Sequence, residues 1–320
     1  MLHHFSRADV EKGLDYPRLV GALEEAFRRG GEPMPVRRSY DVGSADAPGH
    51  LLTMPAWERG EALGVKLVTV FPRNAALGLG AVSSLYVLFD GTTGQPRALI
   101  DGEALTNRRT AAASALASRY LSRPDSHRLL IVGTGHVAAH LPLAHRAVRP
   151  IERVMVWGRN PEHALSLVDR LAAEGFDAIP VTDLPAAIGQ ADIVSCATTA
   201  SAPLVAGEHL RPGTHLDLVG AFTPQMRESD DEAVRRSRVF VDTYAGALAE
   251  AGDLLQPIAS GCWRAADVCA DLHELTSGAK PGRLSADDIT LFKSVGAAIE
   301  DLAAAKLLVG GEPPDGNSPT

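Results

Sequence analysis

The 320-residue sequence is poor in several things, and each shortage removes a class of function. It has three cysteines, Cys196, Cys262 and Cys269, odd in number and without metal-ligand spacing. That excludes a disulfide-stapled scaffold and a thiolate zinc site, and reads as reduced structural thiols in a cytoplasm. None of the eleven histidines forms an HExxH-type pattern, so no metal is expected. Neither a GxSxG element nor a CxxC pair is present, which leaves nucleophilic catalysis without support. No apolar run is long enough to span a bilayer, and MLHHFSRADV lacks the apolar stretch of a secretory signal. The net charge of −8 argues against nucleic acid as a partner.

What remains is an ordinary globular composition, 45% hydrophobic and 22% charged, over a length that supports two separately cored domains. Residues 16–29 carry Leu19, Leu23, Ala26 and Phe27 at helical spacing. Between His50 and Ile100 the pattern changes to strands, HLLTMP, GVKLVTVF, SSLYVLFD and PRALI, with Asp90-Gly91-Thr92-Thr93-Gly94 as the turn joining the last two. An Ala-rich helix from about 102 to 121 follows, and Ser122-Arg123-Pro124-Asp125 stops it. Strands at 128–132, 152–157, 177–180, 192–196, 214–219 and 238–242 then alternate with helices near 136–148, 161–174, 183–190 and 229–236. Such alternation predicts an α/β fold with a doubly wound parallel sheet. The expected domains are 1–122 and 123–295, with a last helix near 296–309 crossing back onto the first domain and a frayed tail over 310–320.

The most informative stretch is LLIVGTGHVA, residues 129–138. An apolar strand meets the turn Gly133-Thr134-Gly135, and Ala138 stands where a dinucleotide fingerprint has its third small residue. Gly133 permits the turn, Gly135 lets backbone approach a pyrophosphate, and Ala138 lets the following helix pack closely. His136 and Val137 complete the cradle at a helix N-terminus, whose N–H groups favour anions. A plain strand–turn–helix without ligand is the competing reading. Pro142 is expected to kink this helix or interrupt it early. A second strand, RVMVW, ends in Gly158-Arg159-Asn160 with no acid to hold a ribose hydroxyl. Arg159 is therefore read as a 2′-phosphate contact with Asn160 beside it, which favours NADP(H) over NAD(H).

In the first domain Lys66 shares a strand face with Val68 and Val70, where a lysine needs a route to solvent or an anionic partner. Arg109 falls on a helical stripe with Leu105, Ala112, Leu116 and Tyr120, whereas Arg108 points away to solvent. Arg37 or Arg38 is a third cation. Converging cations of this kind suit a carboxylate substrate. Asp192 reads as a strand-start residue, and Asp230 and Asp231 as helix N-terminal acids.

Together LLTMPAW, GVKLVTVFPRN, the block from Asp90 to Ser118, VGTGHVA and LFKSVGAAIEDLAAAK make a sequence that resembles the ornithine cyclodeaminase/mu-crystallin family along nearly its whole length. The resemblance implies a Rossmann-like NAD(P) domain, an α+β substrate and dimerisation domain, and a homodimer. It also implies that Arg37, Lys66 and Arg109 bind a carboxylate, that Ser83 and Ser84 lie near a substrate-contacting hydroxyl position, and that Ser294 and Val295 lie near the nicotinamide. One departure stands out. Where cyclodeaminases carry an Asp after a Gly-Gly or Gly-Ala pair, this chain has Gly220-Ala221-Phe222, and phenylalanine cannot move a proton. The GAFTPQMRESDD version looks like the family's ketimine reductases, which implies NADPH-dependent reduction of Δ1-pyrroline-2-carboxylate or Δ1-piperideine-2-carboxylate. Phe222 would then pack on ring methylenes. The rival readings are ornithine cyclodeamination with bound NAD, an open-chain amino acid dehydrogenase such as alanine dehydrogenase, and a mu-crystallin-like binding protein without turnover. Cyclodeamination needs another acid, and Glu228, nearby in sequence, is expected at the surface.

Overall fold

The computed structural model describes residues 2–30, 34–44 and 47–311. The tail over 312–320 lies outside the described residues, and with it most of the segment expected to fray. Two compact units divide the chain: Met1–Ala26, Gly30–Arg109 and Ala297–Thr320 form one, and Phe27–Arg29 with Thr110–Gly296 the other.

In the first unit β1 (His3–Phe5), β2 (Arg38–Asp41), β3 (His50–Glu58), β4 (Ala62–Val70), β5 (Val82–Asp90) and β6 (Pro96–Asp101) form one sheet in the order β1-β6-β5-β4-β3-β2. All neighbours are antiparallel except β1 and β6. The last helix of the chain, Ala298–Gly310, packs on β3, β4 and β5. Along β4 the pleat alternates, so Ala62, Gly64 and Lys66 are buried while Leu63 and Val65 are half-buried. Helices α1 (Arg7–Gly13) and α2 (Tyr16–Arg29) lie between β1 and β2 in the chain, and α3 (Gly102–Leu121) leaves β6 directly. Ser6 opens α1 with a reciprocal Ser6–Asp9 capping box.

The second unit holds β7 (Arg128–Val132), α4 (His136–Arg146), β8 (Arg153–Trp157), α5 (Pro161–Ala173), β9 (Asp177–Pro180), α6 (Leu184–Ile188), β10 (Ile193–Cys196), β11 (His215–Leu218), α7 (Asp231–Arg236), β12 (Arg238–Val241), α8 (Tyr244–Glu250), α9 (Gly252–Ala259), β13 (Val268–Asp271), α10 (Leu272–Thr276) and β14 (Thr290–Lys293). Ala298–Gly310 is thus α11. Its eight strands are all parallel, in the order β9-β8-β7-β10-β11-β14-β12-β13. The order reverses between β7 and β10, which is the topological switch point of a Rossmann-like α/β sheet and the place where such sheets bind ligands. β7, β8 and β12 are apolar after their first residue, as burial on both faces requires.

Two sequence readings are corrected here. Of the two outcomes expected at Pro142, an early interruption does not occur: α4 runs through Pro142 to Arg146, with Pro142, Ala138, Ala139 and Leu141 buried. Arg108 is not a solvated side chain: it is half-buried, donates to the Glu11 carbonyl at 2.7 Å and lies 4.9 Å from the Tyr16 ring centroid.

Candidate active site

In the first unit the β4 pleat points Lys66 inward, in register with buried Met54 on β3 and buried Tyr86 on β5. Only glycine fits two positions earlier, because a Cβ on Gly64 would lie 1.9 Å from the Tyr86 hydroxyl. Lys66 Nζ donates to Asp301 Oδ1 at 3.0 Å and stands 2.8 Å from Oδ2. From α3, Arg109 Nε donates to the same Asp301 Oδ1 at 2.9 Å, and Nη1 to Glu300 Oε2 at 2.7 Å. None of the four side chains is more than 5% exposed. Such burial is tolerable only because each charge meets an opposite one.

Glu300 and Asp301 sit in the first turn of α11, where the helix dipole favours carboxylates. Glu300 Oε1 also accepts from the Ala297 N–H, so the helix start fixes its orientation. Neither acid was picked out by sequence reasoning. The available signal was an adjacent Glu-Asp pair in an otherwise Ala/Leu-rich helix.

The electrostatics follow. Burial pushes the Lys66 ammonium down to about 8; the Arg109 charge adds to this, Asp301 opposes it, and Arg37 depresses it further. Burial alone would raise Asp301, but Arg109 and Lys66 hold its carboxyl below the usual carboxylate range. Arg37, half-buried just before β2, thus brings a third positive charge to a group whose two cations and two carboxylates otherwise balance. Arg38 is exposed and of the opposite strand parity. Pairing of Val68 with Ser84 and of Thr69 with Ser83 puts half-buried Ser84 on the Lys66 face of the sheet and exposed Ser83 on the other.

In the second unit the turn after β7 has the geometry of a phosphate cradle. Gly133 has φ +125°, and a Cβ there would meet the Ala197 carbonyl oxygen at 2.5 Å, so the position demands glycine. Its N–H bonds the Trp157 carbonyl at 2.9 Å. Gly135 is the N-cap of α4 and supplies no side-chain cap, and a Cβ on it would face open space. Thr134 and Val137 are half-buried, His136 is exposed, and Ala138 is fully buried under the helix. A helix N-terminus left open behind a glycine turn at the switch point fits a dinucleotide pyrophosphate.

Past β8, Arg159 is exposed and no acid occupies 157–160. Asn160 Oδ1 accepts from the Glu162 N–H at 2.9 Å, which makes Asn160 the N-cap of α5. Beyond β14, Ser294 is buried with its N–H on the Leu218 carbonyl, while the N–H groups of Val295 and Gly296 both bond Asp242 Oδ2 at 2.8 Å. Phe222, after β11, is 42% exposed.

The expectation that Glu228 lies at the surface is overturned. It is fully buried, because its carboxylate serves backbone donors at the ends of β10 and β11. Asp192 joins Arg123 and Arg128 at the start of β10, and Asp230 caps α7 by accepting from the Ala233 N–H. Cys196 is buried, Cys262 and Cys269 are half-buried, and all three are free. Among the described residues no three His, Cys, Asp or Glu side chains could hold a metal, and no helix is long and apolar enough to cross a membrane.

A glycine turn at the switch point of a parallel sheet, in one chain with a buried cluster of lysine, arginine and carboxylates, defines a two-unit α/β protein of the nucleotide-binding kind. The chain belongs to the ornithine cyclodeaminase/mu-crystallin family, whose model matches residues 3–310. A Δ1-pyrroline-2-carboxylate reductase of Paracoccus denitrificans is 44% identical over 308 residues, covering 94% of this chain and 97% of the relative. The solved structure of the Thermococcus litoralis Δ1-pyrroline-2-carboxylate reductase, in complex with NADH and L-proline, matches with TM-score 0.90 at 37% identity over 96% of each chain. An archaeal alanine dehydrogenase dimer with bound NAD matches with TM-score 0.88 at 30% identity over 97% and 95% of the two chains.

Proposed function

We propose that this protein reduces a small cyclic imino acid, Δ1-pyrroline-2-carboxylate or Δ1-piperideine-2-carboxylate, to L-proline or L-pipecolate, with NADPH preferred over NADH. It is an NAD(P)-dependent oxidoreductase acting on a carbon–nitrogen double bond. The observation that carries the reading is the buried Lys66–Arg109–Asp301–Glu300 cluster with Arg37 beside it. Two residues there, Arg37 and Arg109, offer planar guanidinium groups suited to a carboxylate. Lys66 adds a point charge and, with its ammonium brought down to about 8, a proton exchangeable near neutral pH. Asp301 orients both Lys66 and Arg109, so the cations are held before substrate arrives.

Gly133, Thr134, Gly135, His136, Val137 and Ala138 cradle the pyrophosphate, Arg159 with Asn160 selects the 2′-phosphate, and Ser294 and Val295 lie toward the nicotinamide. The bound dinucleotide supplies a hydride. Ser83 and Ser84 belong to the substrate pocket, and Phe222 packs on the ring methylenes. A cyclic imine needs no acid at the Phe222 position, whereas ornithine cyclodeamination does. Glu228 is no substitute for that acid, because both its oxygens are already engaged by protein donors. The named relatives are consistent with this choice. Within the first unit Val36, Tyr40, Val42, Leu77, Leu79 and Val82 are large apolar residues left exposed, which supports a homodimer through that unit. Three free thiols suit a reducing, cytoplasmic setting.

The test is incubation of Δ1-pyrroline-2-carboxylate with NADPH, and in parallel NADH, followed by chromatography for proline. Proline formed with matching dinucleotide oxidation is the expected result. No proline, with ammonia released from L-ornithine instead, would overturn the reading.

A further inference from the structure

The mechanism proposed above leaves one buried charge group unused, at the carboxyl edge of the parallel sheet. Glu228 lies at the end of the loop that begins after β11, and its side chain reaches back across that loop. Glu228 Oε1 accepts from the Thr198 N–H at 2.7 Å and from the Thr198 hydroxyl at 2.8 Å. Oε2 accepts from the Gly220 N–H at 2.7 Å and the Ala221 N–H at 3.3 Å. One carboxylate therefore ties the segment after β10 to the segment after β11, and closes the 220–228 loop on itself.

The site is built from beneath as well. Asp253, in the first turn of α9, accepts from the N–H groups of Glu228 and Ser229 at 2.8 and 2.9 Å. Lys293, the last residue of β14, stands 3.3 Å from Asp253 Oδ2, and both are fully buried. Thus two buried acids, Glu228 and Asp253, share one buried cation, Lys293, under three strand ends. The loops above it leave no room for a side chain at Gly220 or Gly252. A Cβ on Gly220 would fall 1.9 Å from the Thr198 carbonyl oxygen and 2.5 Å from Glu228 Oε1, and one on Gly252 would fall 2.0 Å from the Met226 carbonyl.

Two features make the clasp relevant to ligand binding and not to packing alone. The Thr198 segment borders the switch point: the carbonyl of Ala197, its neighbour, is the group that forces glycine at Gly133. Directly after the clasped Ala221 comes exposed Phe222. We propose that Glu228 is a positioning residue that sets the Thr198 and Phe222 loops in the conformation that receives the dinucleotide and the substrate ring. The inference rests on the reading of this edge as a dinucleotide site. Both oxygens must be acceptors, because donors approach each of them. A glutamine keeps the shape but turns an NH2 group toward N–H donors on one side.

The experiment compares wild type, Glu228→Gln and Thr198→Val. Dinucleotide affinity is read by titration calorimetry without substrate, followed by KM and kcat and by thermal melting. Glu228→Gln is expected to weaken dinucleotide binding and raise KM for the imino acid about tenfold or more, with kcat changed less. Thr198→Val, which removes only the hydroxyl donor, is expected to move the same quantities in the same direction by a few-fold. It also serves if the glutamine variant does not fold. Unchanged affinity and KM in a folded Glu228→Gln protein, or in Thr198→Val where the glutamine variant does not fold, would overturn the inference and leave the clasp a matter of stability alone. A wild type that binds no dinucleotide would overturn the underlying reading, and with it the inference.

Discussion

Asp301 is the residue through which the first unit's charges are organised, since it bonds Lys66 and Arg109 at once. Asp301→Ala leaves two buried cations without their shared partner, a change that costs about 3–5 kcal/mol when a buried pair is broken. Chemical denaturation is expected to show that loss. Lys66→Met is the cleaner probe of function. It is expected to lower kcat/KM by about a hundredfold or more while dinucleotide affinity stays within about twofold of wild type. Equal loss of both would place Lys66 outside the substrate pocket.

Both groups make stability rise with pH, in separate windows, because each folded-state pKa lies below its unfolded value. Lys66 is lowered on folding from 10.5 to about 8, so the unfolded chain holds more protons across that interval. The penalty of burying its charge is therefore fully present below about pH 8 and fades as pH rises toward 10.5. Asp301 is depressed, so its stabilisation is present above the ordinary carboxylate range and is lost as pH falls through its folded value. If the Lys66 ammonium is needed in turnover, kcat/KM falls above about pH 8, and Lys66→Arg removes that limb. At the cofactor end, Arg159→Ala is expected to raise KM for NADPH about tenfold or more with little change for NADH. Equal effects on the two would show that Arg159 does not discriminate between them.

At the scale of elements, what was legible in the sequence is what repeats with a period. The apolar runs of β7, β8 and β12 and the helical stripes between them are visible because burial on both strand faces leaves only the first residue of each strand polar. β14 was missed because it is four residues long and ends in Lys293, a charge acceptable only beside Asp253, which lies 40 residues earlier in the chain. β1 and β2 were missed because they are edge strands of three and four residues with mostly exposed side chains. Glu228 was misread for a related reason. Its neighbours Arg227, Ser229, Asp230 and Asp231 are polar, and nothing local reveals that backbone N–H groups from two other segments converge on it. Lys66 and Arg109, by contrast, were legible, because a charge on an apolar face is an anomaly in either period. The glycine turn makes its own element-level prediction. Gly133→Ala combines a left-handed φ of +125° with a 2.5 Å approach to the Ala197 carbonyl. Loss of measurable dinucleotide binding is expected by calorimetry, with substrate-unit variants such as Arg37→Ala as the binding-competent control.

For the whole molecule, the exposed apolar residues of the first unit set the expectation of oligomeric state. Leu77 is 74% exposed and Leu79 59%, a degree of exposure for large aliphatic side chains that a second subunit would relieve. Analytical ultracentrifugation is expected to find a dimer, and Leu79→Glu with Val82→Glu to shift it toward monomer; a wild type that sediments as a monomer contradicts that reading. The central claim is the reaction itself, and the most direct measurement follows the transferred atom. NADPH carrying deuterium at the nicotinamide C4 is incubated with the enzyme and unlabelled Δ1-pyrroline-2-carboxylate, and the amino acid product is examined by mass spectrometry and for chirality. The expected result is L-proline with one deuterium on its α-carbon when the label is on the transferred face of C4. Recovery of unlabelled imino acid with labels on either face, together with ammonia released from L-ornithine, would contradict the assignment.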